Sequence, residues 1–256
     1  MTISERCRSC HAEVLLEWLE PISCRGKRLP GTGVWRSQSE GGRCPKCASA
    51  LAERIAQRQR RLKIYLRLLQ LGGGEKPYRE FRFENFDIEP ENAQACGLAR
   101  AFNPDRDNLY LWGACGVGKT HLAFAIVRAA CEAGRTVEFL KPPQLLRRIR
   151  MRDPNEEQRE IDRIARADVF VLDDLGIGND TLFARQVFQE ILDARILAYR
   201  SGLVVTSKYS LGALAVKLDD DTISSRLAGM GRTIRLGGPD HRVPKMPGEI
   251  YTARRS

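Results

Sequence analysis

No stretch of this 256-residue sequence approaches the unbroken apolar length that a bilayer-spanning helix needs. The first residues, with Glu5, Arg6 and Arg8 close together, lack the apolar core of a secretory signal. These two absences argue against a helical membrane protein and set the expectation of a cytoplasmic chain with no membrane partner. A third shortage is local. Residues 1–82 hold 17 Lys and Arg against only 8 Asp and Glu, whereas residues 83–256 hold 25 against 24, so the net charge of +10 belongs almost wholly to the first third. Such an excess favours nucleic acid or an acidic protein surface as a partner, with a merely solvated basic face as the competing explanation.

In a reducing compartment the eight cysteines do not form a disulfide framework. Cys7-x2-Cys10 and Cys44-x2-Cys47 instead have the paired spacing that lets four thiolates surround one tetrahedral Zn²⁺. His11 and Cys24 lie close enough in sequence to substitute for one ligand. Pro21, Gly26, Pro30, Gly31, Gly33, Gly41 and Gly42 fill the interval with turn formers, so metal is expected to hold residues 1–50 together as a small zinc-knuckle module. Cys96, Cys115 and Cys131 have no such pairing and read as ordinary small residues.

Leu51, Ile55, Leu62, Tyr65, Leu66 and Leu69 recur close to helical spacing and predict one helix over about Ala48 to Leu71. Arg54, Arg58, Arg60, Arg61, Lys63 and Arg67 cover much of its remaining surface. A basic amphipathic helix of this kind docks on a partner, touches phosphates or packs on its own protein, and docking or packing is the stronger expectation. Gly72-Gly73-Gly74 and Lys76-Pro77 then read as a linker, which gives residues 51–77 as helix and linker and residues 78–242 as the main domain. Residues 243–256, rich in Pro and Arg, read as a flexible tail.

The main domain contains Gly113-Ala114-Cys115-Gly116-Val117-Gly118-Lys119-Thr120, a full match to G-x-x-x-x-G-K-[ST]. Glycines let such a loop curl until successive backbone N–H groups converge on phosphate oxygens. Lys119 reaches the terminal phosphates and Thr120 holds Mg²⁺. The apolar run Leu109–Trp112 precedes the loop, and a helix-forming run beginning at His121 follows it, so the helix dipole adds to the anion site. Further on, Val169-Phe170-Val171-Leu172 is an apolar run suited to a buried parallel strand, and it ends in Asp173-Asp174. At such a strand end Asp173 suits Mg²⁺, and Asp174 suits the polarisation of a water attacking the γ-phosphate of ATP. Val137–Leu140 and Leu203–Ser207 read as further strands, Pro143–Met151, Glu156–Ala167 and Leu182–Tyr199 as helices. Alternation of this kind predicts an α/β fold with a parallel sheet flanked by helices and a nucleotide at the carboxyl ends of the strands. Polar residues at the end of Leu203–Ser207 are expected to face the γ-phosphate.

Phe83-Glu84-Asn85-Phe86-Asp87, the phosphate loop through Ala123, Val169–Gly176 and Val204–Lys208 together resemble the DnaC/DnaI-type replicative helicase loaders and the related IstB-type transposition helpers, a branch of the AAA+ ATPases. The resemblance implies an AAA+ fold whose subunits self-associate head to tail. It implies that Arg226 is an arginine finger reaching a neighbour's ATP and that Arg242 contacts nucleotide within its own chain. Lys208 stands where the family usually has Asn. Lysine donates but cannot accept, so ATP binding with slow hydrolysis is expected, Thr206 or Ser207 supplying a hydroxyl. The expected function is an ATPase switch that loads a replicative DNA helicase onto single-stranded DNA. Its alternatives are a helper that binds double-stranded DNA and a transposase, an ATP-binding scaffold favoured by Lys208, and a zinc-mediated nucleic-acid-binding protein. A small-molecule kinase is opposed by the lack of a substrate-phosphate lid after the Asp pair.

Overall fold

The structure is a computed structural model that describes residues 4–19, 23–24, 27–28, 34–37, 45–72, 78–150, 153–176 and 182–242. Expectations for Cys44, for the linker 73–77 and for the tail 243–256 fall outside them. The chain divides into two compact units, Met1–Tyr65 and Leu66–Ser256. Among the described residues no helix is long and apolar enough to cross a membrane.

In the first unit β1 (Ser4–Arg6), β2 (Glu13–Leu19) and β5 (Val34–Ser37) form an antiparallel sheet in the order β1-β2-β5. A two-stranded ribbon, β3 (Ser23–Cys24) with β4 (Lys27–Arg28), lies between β2 and β5 in sequence. Short strands that composition does not announce thus occupy part of this region. In register, Trp18 stands opposite Trp35 and Leu19 opposite Val34.

Helix α1 (Pro45–Gln70) begins three residues before the expected start, with Pro at its first position, where a missing N–H costs nothing. It takes Cys47 into its first turn and runs through the division between the two units. Its apolar stripe is not covered: Ile55, Leu62, Tyr65, Leu66 and Leu69 are all exposed. The last turn is held instead through buried Leu68 and through Arg67, which donates to Val137 O and to Glu138 Oε1 at 3.2 Å.

The second unit opens with two 3₁₀ turns, Tyr78–Glu80 and Phe83–Asn85, and α2 (Ala93–Arg100). There follow β6 (Leu109–Trp112), α3 (Lys119–Glu132), β7 (Val137–Leu140), α4 (Pro142–Arg150) and α5 (Pro154–Ala165). Then come β8 (Val169–Leu175), α6 (Leu182–Leu197), β9 (Leu203–Ser207), α7 (Leu211–Leu218), α8 (Thr222–Met230) and β10 (Arg232–Arg235). All five strands are parallel, in the order β10-β6-β9-β8-β7. Leu111, Val171, Leu172, Val204 and Val205 are almost wholly buried, as strands covered on both faces require. Helix α5 starts at Pro154, not at Glu156, because the Asp153 carboxylate caps it by accepting from Asn155 N and Glu156 N. The order puts β9 between the phosphate-loop strand β6 and the carboxylate strand β8, so the end of β9 lies at the centre of the ligand edge.

Among the described residues a buried glutamate and a buried arginine hold the helices. Glu138 on β7 accepts from Arg148 at 2.9 Å and Arg163 at 2.7 Å as well as from Arg67, joining α1, α4 and α5 to the sheet edge. On α6, Arg195 is fully buried and donates to the carbonyls of Ala165, Ala167 and Ser201. Burial, with the nearby Arg200 charge, pushes its pKa down to about 10. Replacing Arg195 by Met strands three carbonyls at the bases of β8 and β9. Arg195→Met is expected to lower stability by about 2–4 kcal/mol in urea denaturation.

Candidate active site

The loop between β6 and α3 is built on backbone that side chains resist. Gly116 and Gly118 have φ of 77° and 99°, in the left-handed region. A Cβ on Gly118 would lie 2.6 Å from Phe86 Cε2, so the absence of a side chain also admits an aromatic ring against the loop. Lys119, the first residue of α3, is buried and donates from Nζ to Gly113 O at 2.9 Å and Ala114 O at 2.6 Å. Burial lowers its pKa, and the Asp174 and Asp173 charges oppose that.

Thr120 and Asp173 meet as expected: the Thr120 hydroxyl donates to the Asp173 carboxylate at 2.9 Å. Asp173 has no exposed surface. Its Oδ1 also accepts from Thr206 Oγ1 at 2.7 Å, and that hydroxyl in turn accepts from Asp174 N at 2.8 Å. Burial pushes the Asp173 carboxyl above the usual range, and the Asp174 charge adds to this, while Thr206, Lys141 and Thr120 oppose it. Asp174 follows in the left-handed region at φ 65°, where the β8–β9 register shifts between Leu172 and Leu175. That irregularity turns Asp174 toward the open edge while Asp173 stays beneath. Lys141, immediately after β7, reaches Asp174 Oδ2 at 3.0 Å and Asp173 Oδ2 at 3.6 Å.

The hydroxyls of β9 differ from expectation. Thr206 bridges the two aspartates, and Ser207 donates to Leu175 O at 2.7 Å. Both are fully buried, so neither is available to a phosphate. Lys208, one residue beyond, lines the cavity, its Nζ 4.9 Å from the Tyr209 ring centroid.

These groups open on a cavity of about 730 Å³. Cys115, Gly116, Gly118, Lys119, Thr120 and His121 contribute from the loop and helix, Asp174 and Lys208 from the strand ends, and His241 and Arg242 from the segment after β10. Val117 is buried beneath the loop, Gly113 is set against Leu236, and exposed Ala114 contributes its carbonyl. The opposite wall is aromatic: Phe81 stacks on His121 at 4.7 Å, Phe86 meets it edge-on at 5.2 Å, and Tyr78 stands nearby. His121 donates from Nε2 to Arg82 O at 2.7 Å, and burial lowers its pKa, which favours the neutral ring. Tyr78, Phe81 and Lys141 are the residues sequence did not single out. For Lys141 the available signal was its place at the carboxyl end of a parallel strand. Arg226 is apart from this cavity and forms a two-point pair with Asp193 of α6, at 2.6 and 3.1 Å.

In the first unit the Sγ atoms of Cys7, Cys10 and Cys47 lie within 4.8 Å of one another. Ser9 N donates to Cys7 Sγ at 3.4 Å, and Cys7 O accepts from His11 N, closing the turn that presents the first pair. A tetrahedral Zn²⁺ needs sulfurs about 3.8 Å apart, so three thiolates fit. His11 is outside this group, whereas Cys96 and Cys131 are core residues.

Thr206→Val keeps the shape of the β9 end but removes the hydroxyl between the aspartates. The variant is expected to lose about 1–3 kcal/mol of stability, measured by thermal or urea unfolding, because Asp174 N loses its acceptor in a buried place.

Residues 49–234 match the family model described as IstB-like ATP binding protein. An ATP-binding protein of insertion sequence IS1162 from Pseudomonas fluorescens is 36% identical over 91 residues, 35% of this chain and 39% of that protein. The replicative helicase loader DnaC of Buchnera aphidicola is 24% identical over 159 residues, 59% of this chain and 64% of that one. This chain thus spans less than two thirds of the length of either relative. The crystal structure of DnaI superposes with a TM-score of 0.53 at 25% identity, covering 63% of this chain and 92% of that one. The α/β class with its parallel sheet is the fold expected for an AAA+ core. With the match running from α1 into β10, and the phosphate loop and carboxylate pair at its centre, this chain belongs to the family of IstB-like ATP-binding proteins.

Proposed function

We propose that this protein is an ATP-driven assembly switch on DNA, and specifically a factor that loads a replicative hexameric helicase onto single-stranded DNA. The observation that carries the ATPase part is the meeting of Lys119, Thr120, Asp173 and Asp174 at one end of one parallel sheet. The cavity is lined by Lys119, Lys141, Lys208 and Arg242 against Asp87 and Asp174, a balance suited to a triphosphate. Phe81, Phe86 and His121 offer the flat apolar surface that a purine needs. Thr120, which lines the cavity, is the residue to hold Mg²⁺, with Asp173 beneath it fixing the Thr120 hydroxyl and reaching the ion through its water shell; the ion when bound would neutralise phosphate charge. Asp174 polarises the attacking water, and Lys208 and Arg242 bind phosphate without being able to accept a proton from it. Turnover well below ~10 s⁻¹ follows from a switch of this kind.

Arg226 acts in trans in this reading, completing a neighbour's site in a head-to-tail assembly once it leaves Asp193. The zinc-knuckle module, held by Cys7, Cys10, Cys47 and Cys44, and the basic α1 supply the contact to the helicase. The exposed Ile55, Leu62 and Tyr65 suit such a surface. The protein works in the cytoplasm, where its DNA is. A second reading, a transposition helper acting on double-stranded DNA with a transposase, is favoured by the 36% identity to the IS1162 protein.

Light scattering with ATP, ADP or neither, on single- or double-stranded oligonucleotides, separates the two. ATP-dependent assembly preferring single strands, absent in Lys119→Ala, is expected. Filaments on duplex would favour the helper, and no nucleotide-dependent change would remove both. Asp174→Asn is expected to retain ATP binding while losing at least about a hundredfold in turnover. Mixing it with Arg226→Ala should recover activity that neither variant has alone, and failure to do so rules out the trans role. Metal analysis should find one Zn²⁺ per full-length chain, lost in Cys47→Ser.

A further inference from the structure

Helices α4, α6, α7 and α8 and the end of β8 enclose a second cavity, of about 340 Å³, which shares no lining residue with the nucleotide site. Its floor is apolar. Leu145 comes from α4, Leu172 and Leu175 from β8, Phe188 from α6, Leu218 from α7 and Ile223 from α8, and all six are buried. The charged groups that line it are Arg147 and Arg150 of α4 and Arg185 of α6, and no carboxylate lines it among the described residues.

We propose that this cavity is a docking site for an acidic segment of a partner protein, which seats one bulky aliphatic or aromatic side chain on the floor and sets its carboxylates against the three arginines. The inference is independent of the ATPase reading.

Helix α4 sorts its residues by face. Leu145 and Ile149 are buried and Arg148 turns to Glu138, whereas Arg147 and Arg150 are exposed. The Arg150 guanidinium lies 4.8 Å from the Phe183 ring centroid, a contact with the ring face that leaves its N–H groups for an anion. Arg185 is fixed by donating from Nη1 to Leu218 O at 2.6 Å. Its Nε is buried and has no hydrogen-bond partner among the described residues. A buried donor left unpaired is unfavourable, and a carboxylate oxygen in this cavity would supply the acceptor.

Phosphates would satisfy the arginines as well as carboxylates do, so the floor makes the distinction. Nucleobases are held by stacking on flat aromatic faces and by hydrogen bonds at their edges. Apart from Phe188, the floor residues named above are leucine and isoleucine, which suit the irregular surface of a side chain. The volume is at the lower end of the roughly 300–1,000 Å³ usual for ligand cavities, which matches an anchoring side chain better than a whole cofactor.

Fluorescence anisotropy with the full-length protein tests this, using a labelled short peptide of Asp and Glu around one central Leu, the same peptide with Ser in place of that Leu, and a labelled single-stranded oligothymidine. The Leu peptide is expected to bind at least about tenfold more tightly than the Ser peptide. Arg150→Glu should weaken the Leu peptide by about tenfold or more. Ala184→Phe, which fills the cavity from α6, should abolish the preference for Leu over Ser, with thermal unfolding reporting whether the fold is intact. Equal affinity for the two peptides, or a preference that survives in folded Ala184→Phe, overturns the proposal. Where Ala184→Phe unfolds, Arg150→Glu decides, and unchanged affinity for the Leu peptide in that variant overturns it. Oligothymidine binding that is lost in Ala184→Phe and that neither peptide displaces assigns the cavity to nucleic acid and likewise overturns it.

Discussion

A carboxylate with no exposed surface must be satisfied from within the protein, and Asp173 is satisfied by hydroxyls from two different elements, Thr120 on α3 and Thr206 on β9. Leaving such a group unpaired would cost several kcal/mol. The arrangement therefore fixes three things together: the first turn of α3 against the sheet, the strand order that puts β9 beside β8, and the depth at which the carboxylate pair lies. The phosphate loop depends on the same contact, because Thr120 directly follows Lys119 at the start of α3.

The site sorts its charges by depth. Asp173 is buried and tied to hydroxyls, whereas Asp174, turned outward by the register shift in β8, meets a lysine at the cavity wall. Two adjacent residues of the same type thereby acquire different roles from their environments. The cationic side is distributed over the helix start, two strand ends and the segment after β10, so no single element supplies the triphosphate site. Arg226 is held by Asp193 within its own chain, and a role at a neighbour's nucleotide requires exchanging that pair for phosphate.

The first unit obeys a different constraint. Its strands are short, and its described cysteines converge where a metal ion can replace the core that the segment is too small to bury. Helix α1 carries a regular apolar stripe that lies open, with arginines around it. Periodicity revealed that face, but burial was decided elsewhere, by Leu68 and by the Arg67 contact to β7.

Sequence alone determined whatever is written in neighbouring residues. Glycines at positions 116 and 118 allow the left-handed turns of the loop, the apolar run before Asp173 dictates a buried parallel strand, and Cys7-x2-Cys10 sets a turn that brings two sulfurs together. The parallel α/β architecture followed from alternation of such segments. Only tertiary structure decided that Thr206 serves Asp173 and not a phosphate, that Lys141 pairs with Asp174, that Phe81 and His121 form a wall, and that Arg226 rests on Asp193. Each of these joins residues tens of positions apart. Their meeting depends on strand order and on a register shift, quantities set by packing of the whole sheet and carried by no local run of residues.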